Sequence, residues 1–292
     1  MGSRTAGTTA HDHQNQTIRL GEHVERSSER LNRNRKVDCV KLSAEEKAPQ
    51  IILDSTQLSA QSSKGYRTVR ATHGAHKGAW YYEMTVKSLG DTGAVRVGWS
   101  TASAELQAPV GADHFGYSYR SVDGSKVHLG KREGYGVAFK EGDVVGCLLY
   151  MGEQGRVIEK GPEDVVRYRG QLYFTEDSAS DQPEPLPDSF IEFFVNGRSQ
   201  GRCFEGGVLE GTYYPSVSLY THASQTEPAH VCVQFGGGGG GRELDHAVPE
   251  VKHDGKGGAV FVRVKPIGML ANTVNTTNGS VGVGGGRMQG TG

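Results

Sequence analysis

Apolar and polar residues alternate with a period of two along the middle of the chain, which is typical of β-strands with one buried face. In AWYYEMTVK, the apolar face would consist of Trp80, Tyr82, Met84 and Val86. The run VVGCLLY (residues 144–150) is apolar throughout, as expected for a strand that is covered on both faces. Asn-Gly at residues 196–197 is a strong hairpin signal. The pattern predicts an all-β fold, an antiparallel β-sandwich, over residues 37–236.

Two of the predicted strands carry an arginine on the face opposite to their apolar residues. In TGAVRVGWS, Arg96 shares its face with Ala94 and Gly98, and Arg120 in HFGYSYRS also has small neighbours. Small neighbours leave a hollow with room for a ligand chain, and a guanidinium group pairs well with carboxylates. Pro109, in the loop between these strands, is placed to form one wall. The pattern predicts a groove for an acidic ligand; the alternative is a pair of solvated surface arginines.

The flanking segments differ in composition from the strand-rich middle. Residues 1–36 are polar and net basic, which predicts a disordered or partly helical tail. Its cluster RLNRNRK is either a nuclear-import or phosphate-contacting patch or a solvated linker. Residues 152–189 predict an acidic loop insertion, and residues 237–292 a Gly-rich, low-complexity tail with one possible strand at 259–265. We expect residues 1–36 and 242–292 to be largely dispensable for folding, with residues 259–266 as the part that can stay attached to the core.

Composition argues against several classes of protein. The net charge of −1 does not suit a general nucleic-acid binder. No apolar run is long enough to span a membrane, and the N-terminus has no apolar core typical of a secretory signal. The widely spaced cysteines exclude a zinc ribbon or redox motif and favour a reduced compartment, the cytosol or nucleus; they are Cys39, Cys147, Cys203 and Cys232.

The sequence also offers no catalytic centre. His73 and His76 lie close together, but they are flanked by turn glycines and no third ligand is nearby, so we predict no metal site. No nucleophile with an adjacent base and no paired carboxylates in an apolar setting stand out. We therefore predict no catalytic residues and no cofactor.

Several longer stretches resemble a SPRY domain, over residues 37–236. The segments KGYRTVRATHGAHKGAWYYEMTV, LQAPVGADHFGYSYRS and EGDVVGCLLYM are most similar to the SPRY subunit of COMPASS-type histone methyltransferase complexes, the absent-small-homeotic-two (Bre-two) family. Within them, VRATHG, LQAPVG and YSYRS are more specific than the generic SPRY pattern, which other SPRY proteins share.

The resemblance implies a non-catalytic, nuclear scaffold. In this family the SPRY domain binds an acidic segment of a WD-repeat subunit related to retinoblastoma-binding protein five. The pair then supports the SET-domain methyltransferase that modifies lysine four of histone three. The family's contact residues match here at Tyr66, Arg96, Pro109 and Arg120. Ala112 stands where the family has an aromatic residue, which predicts weaker packing against the partner at that point.

Other family features have no counterpart in this sequence. The zinc-finger and winged-helix region that often precedes the SPRY domain is replaced by 36 polar residues, so direct nucleic-acid binding is not carried over. No helical pattern after Gly236 matches the segment that docks the small Dpy-thirty-type subunit. The alternative function is a SPRY substrate receptor or adaptor for ubiquitin ligation, although no SOCS box, RING or coiled coil is visible. An enzyme or carbohydrate-binding sandwich is the third possibility.

Overall fold

Two β-sheets packed face to face form the centre of the molecule, which confirms the predicted all-β, antiparallel architecture. The computed structural model describes residues 39–152, 165–168, 171–174, 183–237, 242–255 and 258–273. The predicted basic tail at residues 1–36 and the Gly-rich sequence after residue 273 lie outside these ranges, as does most of the predicted acidic loop.

The first sheet has seven strands, and every pairing within it is antiparallel. Its strands lie side by side in the order β1 (Leu42–Lys47), β4 (Arg67–Ala71), β17 (Tyr214–Tyr220), β6 (Ala94–Ser100), β7 (Gly116–Arg120), β8 (Ser125–His128) and β9 (Lys131–Gly134).

The second sheet has eight strands. Seven lie in the order β15 (Arg198–Arg202), β14 (Phe190–Val195), β10 (Val144–Tyr150), β5 (Ala79–Ser88), β18 (Ala229–Gln234), β3 (Ser59–Ser62) and β2 (Ile52–Leu53). The eighth, β21 (Val264–Pro266), runs parallel to the start of β5.

Three small antiparallel pairs complete the strands. They are β11 (Val165–Tyr168) with β12 (Gln171–Phe174), β13 (Pro185–Leu186) with β16 (Val208–Leu209), and β19 (Val251–Gly255) with β20 (Gly258–Val262). A 3-10 turn (Ile267–Met269) and a short helix, α1 (Leu270–Thr273), follow β21.

The core between the two sheets is rich in aromatic side chains from the predicted apolar faces. Tyr82, on β5, contacts the edge of the Trp99 ring on β6, with 5.0 Å between ring centroids, and neither side chain is exposed. Its hydroxyl donates a hydrogen bond of 2.5 Å to the carbonyl of Gly98. Tyr119, on β7, stacks on Phe193 from the other sheet. The alternation in these strands therefore fixes which residues face the core.

The described part of the chain also bears out the hairpin predicted at Asn-Gly and the two-sided burial of β10. Asn196 and Gly197 both adopt positive φ angles, 51° and 74°, as a type I′ turn between β14 and β15 requires. Cys147 and Leu149 face the core between the sheets, whereas Leu148 belongs to a second apolar cluster on the opposite face of β10.

That second cluster is covered by residues that follow position 236, the expected end of the SPRY domain. We call residues 242–248 together with 263–271 the C-terminal strap. Leu244, Val248 and Val264 from the strap pack on the outer face of the second sheet, over side chains that include Tyr81, Leu148 and Phe194. Ile267 is fully buried in the main core. The expected single strand at 259–265 is instead divided between β20 and β21. The strap is therefore packed on the domain.

Candidate protein-binding site

The two predicted arginines lie directly opposite each other on neighbouring strands. Arg96, on β6, and Arg120, on β7, are cross-strand partners in the antiparallel ladder. Paired residues share a face, and the next pair along the ladder, Val97 and Tyr119, points into the core. Both arginines therefore lie on the outer face of the first sheet, as the alternation predicted.

Arg96 is held over an aromatic platform. Its Cζ atom lies 4.9 Å from the centroid of the Tyr66 ring, and that ring packs against Tyr220 at 5.1 Å. Its guanidinium is poorly satisfied by the described part of the chain: Nη1 makes one long contact of 3.5 Å to the carbonyl of Val110, and Nε is buried without a hydrogen-bond partner. No acidic side chain among the described residues forms an ion pair with it.

Arg120 differs from Arg96 because it already has a counter-ion. Its Nη1 lies 2.5 Å from Oδ2 of Asp123 in the turn that follows β7. The other carboxylate oxygen of Asp123 accepts hydrogen bonds from the backbone and hydroxyl of Ser125. Burial raises the pKa of Asp123, but the Ser125 bonds and the Arg120 charge outweigh burial, so the net pKa is lowered. Asp123 is therefore ionised near neutral pH.

A third arginine, Arg132 on β9, joins this surface and was not predicted. Its cross-strand partner is Val127, which in turn pairs with Ser118, so Arg132 projects from the same outer face. Burial lowers the pKa of Arg96, and the charges of Arg120 and Arg132 lower it further against an opposing contribution from Tyr66. We call Arg96, Arg120 and Arg132 the arginine cluster. Three guanidinium groups there face one carboxylate from Asp123, so the cluster is net positive.

The hollow predicted beside Arg96 is partly filled by the chain itself. Residues 101–115, which we call the covering loop, lie over the small side chains of the sheet. The Ser218 hydroxyl accepts a hydrogen bond of 2.7 Å from the Val110 amide, and the Ser118 hydroxyl donates one of 2.8 Å to the Val110 carbonyl. The Thr68 hydroxyl donates to the carbonyl of Ala108 at 2.6 Å. Part of the predicted hollow is therefore occupied by the covering loop, which short hydroxyl side chains hold in place.

Another buried arginine anchors the start of this loop. The guanidinium of Arg70, on β4, is 3% exposed and donates hydrogen bonds to the carbonyls of Thr101, Ala102 and Ala104. Its remaining partner is the carboxylate of Glu46, at 2.5 Å. This role of Arg70 was not predicted, although Arg70 alternates with the core residue Val69 and so could have been placed on the outer face.

The structure thus brings together Tyr66, Arg96 and Arg120 in one contiguous surface. Pro109 is half-buried in the covering loop, one residue before the carbonyl that Arg96 contacts. Ala112 is exposed near the end of the same loop. We call the surface formed by the arginine cluster, Tyr66 and Pro109 the arginine groove.

The other candidate chemistry lies away from this groove. Burial lowers the pKa of His73 and raises that of the thiols of Cys147 and Cys203. Over the residues that the structure describes, no group of three or more His, Cys, Asp and Glu side chains is arranged to hold a metal ion. Nor does any helix in that part of the chain have the length and apolar character needed to cross a membrane.

Comparison with known proteins agrees with this architecture. The family model for the SPRY domain matches residues 79–155, which run from the start of β5 to just past the end of β10. The predicted resemblance to a SPRY domain is therefore confirmed. The predicted resemblance to Set1/Ash2 complex subunits is confirmed as well, by the relatives that the chain matches.

Two of these relatives are subunits of histone methyltransferase complexes by name, and the third is named as a COMPASS component. The Set1/Ash2 histone methyltransferase complex subunit ASH2 of Drosophila melanogaster is 35% identical over 205 residues, which are 68% of this chain and 36% of that protein. The subunit ash-2 of Caenorhabditis elegans is 32% identical over 64% of this chain and 35% of its own length. The COMPASS component cclA of Colletotrichum higginsianum is 31% identical over 61% of this chain and 48% of its own length. The chain therefore spans between about a third and a half of the relatives' lengths.

Proposed function

We propose that this protein is a non-catalytic scaffold subunit of a nuclear complex that methylates lysine four of histone three. The arginine groove receives an acidic segment of a WD-repeat subunit, and the pair supports a SET-domain methyltransferase. The observation that carries the proposal is the state of Arg96: a half-buried guanidinium on an aromatic platform, with no carboxylate partner among the described residues.

The geometry of Arg96 suits recognition of a carboxylate. Its side chain is already ordered by the Tyr66 ring, so less conformational entropy is lost when a ligand binds. A carboxylate would supply the acceptors that the guanidinium lacks, and charge-assisted hydrogen bonds of this kind are among the strongest in proteins. The same carboxylate would reduce the repulsion between Arg96, Arg120 and Arg132. An acidic peptide therefore gains both hydrogen bonds and charge neutralisation at this surface.

The relatives support the biological setting. Two are named as subunits of Set1/Ash2 histone methyltransferase complexes and the third as a COMPASS component. A role in chromatin, and thus in the nucleus, follows from the same relationship.

Calorimetric titration of a peptide from the acidic segment of the WD-repeat subunit tests the proposal. We expect Arg96→Ala and Arg120→Ala each to weaken binding by about 1.5–3 kcal/mol, the range for hydrogen bonds to charged groups. Arg198→Ala is the matched control, because Arg198 is an exposed arginine on the edge strand β15 of the other sheet. Binding should also weaken as salt rises, because part of the attraction is screened.

The same variants connect binding to methylation. The purified chain alone should transfer no methyl group to histone, and wild type should stimulate the reconstituted methyltransferase more than either arginine variant does. If both arginine variants bind the peptide as wild type does, the binding surface lies elsewhere. If they lose binding only because they unfold, the arginines are structural.

A further inference from the structure

A cavity opens at the free edge of the first sheet, beside the hairpin of β8 and β9. Its volume is about 190 Å³, and it is lined by Lys126, His128, Leu129, Lys131, Glu133 and Phe204. None of these residues is among the contact residues that the SPRY resemblance implies. The cavity combines exposed apolar surface with positive charge, and these two properties limit the ligands that fit it.

Leu129 is an unusual residue for its position. It is the first residue of the two-residue turn between β8 and β9, with a φ angle of 54°, and its side chain is 62% exposed. This left-handed conformation is disfavoured for a branched apolar side chain and is usually adopted by Gly, Asn or Asp. Neither burial nor turn geometry therefore accounts for leucine here. A large exposed side chain in a strained conformation is a reason to look for a functional contact.

The floor of the cavity is aromatic and uncharged. The His128 ring stacks on Tyr117 with 4.2 Å between centroids and 6° between planes, and its Nδ1 lies 2.8 Å from the carbonyl of Gly116. Burial lowers the pKa of His128 despite opposing contributions from this carbonyl and from Asp113, so the ring is neutral near pH 7. Phe204 packs against the edge of Tyr117 and adds a further apolar side.

The rim of the cavity is positively charged. Lys126 and Lys131 both approach the carboxylate of Glu133, at 3.3 and 3.2 Å, so two ammonium groups share one acidic partner. Lys126 is also fixed by the carbonyl of Cys203 at 3.1 Å. Lys131 is 77% exposed and can turn toward a ligand. The site therefore suits an apolar side chain with a carboxylate next to it in sequence.

The cavity and the arginine groove lie on opposite faces of the first sheet and meet at the turn between β8 and β9. The Leu129 amide donates a hydrogen bond of 3.2 Å to the Asp113 carbonyl, and the Gly130 amide donates one of 2.8 Å to the Gly111 carbonyl. These bonds fix the hairpin turn against the end of the covering loop, on either side of Ala112. Arg132, on β9, belongs to the groove on the outer face, whereas its neighbours Lys131 and Glu133 line the cavity on the other face. An extended segment that leaves the arginines and crosses this turn therefore reaches Leu129 and then the cavity.

We propose that this cavity is a second subsite for the acidic partner segment, which places an aliphatic or aromatic side chain against Leu129 and Phe204. The inference rests on the proposed function and adds an apolar requirement to the acidic one. Leu129 supplies apolar contact area beside Ala112, where the side chain is small.

The test uses two peptides and the substitution Leu129→Asn, which should weaken peptide binding without lowering the stability of the fold. Leu129→Asn places in the left-handed turn a residue that prefers it, so thermal stability should stay the same or rise. With the acidic peptide of the WD-repeat subunit, we expect this variant to bind about tenfold more weakly, as expected for about 1.4 kcal/mol of lost apolar burial. With a second peptide in which the apolar residues are changed to alanine, the variant and wild type should bind equally.

Ile52→Asn is the matched control, because Ile52 is a similarly exposed aliphatic residue on the other sheet and should not affect binding. Equal binding of the first peptide to wild type and Leu129→Asn overturns the subsite, and so does a fall in melting temperature that explains the loss. If Arg96→Ala still weakens binding in that case, the proposed function stands and only the subsite fails. If neither peptide binds wild type, both proposals fail.

Discussion

Glu83, on the outer face of the second sheet, and Arg96, on the outer face of the first, differ in how far the chain satisfies their charges. Glu83 is completely buried beneath the C-terminal strap and accepts four hydrogen bonds, from the Tyr81 hydroxyl, the His246 ring and the amides of Asp245 and His246. Arg96 is half-buried and has no carboxylate partner among the described residues, where its polar contacts are the Tyr66 side chain and, at 3.5 Å, the Val110 carbonyl. The chain's own groups therefore satisfy Glu83, as they do Arg70 on the first sheet, but leave the charge of Arg96 without a counter-ion in the described part of the chain.

This difference separates a structural charge from a binding charge. A buried charge is tolerated when its hydrogen-bonding capacity is filled, and removing such a group leaves its partners unsatisfied. A charge that is ordered but unsatisfied contributes little to folding and can gain a great deal from a ligand. The comparison therefore makes opposite predictions for substitutions at the two faces.

The largest effect should come from Glu83→Ala. This substitution leaves the buried Tyr81 hydroxyl and the amides of the strap without their acceptor, and we expect it to lower the free energy of unfolding by about 3–5 kcal/mol. Glu192→Ala is the control, since Glu192 lies on the same sheet and is only half-buried. Urea denaturation measures the free energy of unfolding of both variants. A loss below about 1 kcal/mol for Glu83→Ala would mean that water replaces the carboxylate, and the strap would not be a closed structural element.

The strap also marks a limit of what the sequence could predict. Alternation along β5, β6 and β7 was enough to identify their core residues and to place Arg96 on the outer face of β6, away from the core residue Val97. The strap carries only isolated apolar residues, such as Leu244 and Val264, after a run of glycines that is typical of a linker. Its key contact joins Glu83 to His246, 163 residues apart, and no local period encodes such a pair.

The position of the covering loop over the sheet was not predicted, for a related reason. Ser218 and Ser118 alternate with core residues, so the sequence indicated a polar outer face but not what lies on it. The Val110 backbone that occupies their hydroxyls comes from a loop without periodicity. Arg132 was overlooked because its strand, β9, is short and polar at every position, so alternation could not assign it a face.

A smaller effect should follow from Ser218→Ala, which tests whether the first sheet holds its covering loop through hydroxyl groups. The Ser218 hydroxyl accepts a hydrogen bond from the Val110 amide and forms another, of 2.8 Å, with the Thr68 hydroxyl; both hydrogen bonds are buried. Because the substitution leaves a buried amide without its acceptor, we expect a loss of about 1–2 kcal/mol in the free energy of unfolding. Ser224→Ala, at an exposed position, should change stability by less than about 0.5 kcal/mol. Equal stability of both variants would indicate that the loop is not held through Ser218.

The smallest effect on stability should come from Arg96→Met. Whether stability rises or falls decides whether Arg96 is a binding charge or a structural charge. Methionine keeps an unbranched side chain that can still pack on the Tyr66 ring, but it removes one of the three neighbouring positive charges. We expect the free energy of unfolding to change by less than about 0.5 kcal/mol and to rise slightly at low salt, where repulsion from Arg120 and Arg132 is least screened. At about 1 M salt, with a Debye length of about 3 Å, that gain should vanish. Thermal and urea denaturation at the two salt concentrations measure this difference. A loss of about 1 kcal/mol or more would show that the guanidinium itself holds the outer face together, as Glu83 does on the other sheet, and Arg96 would then be a structural charge.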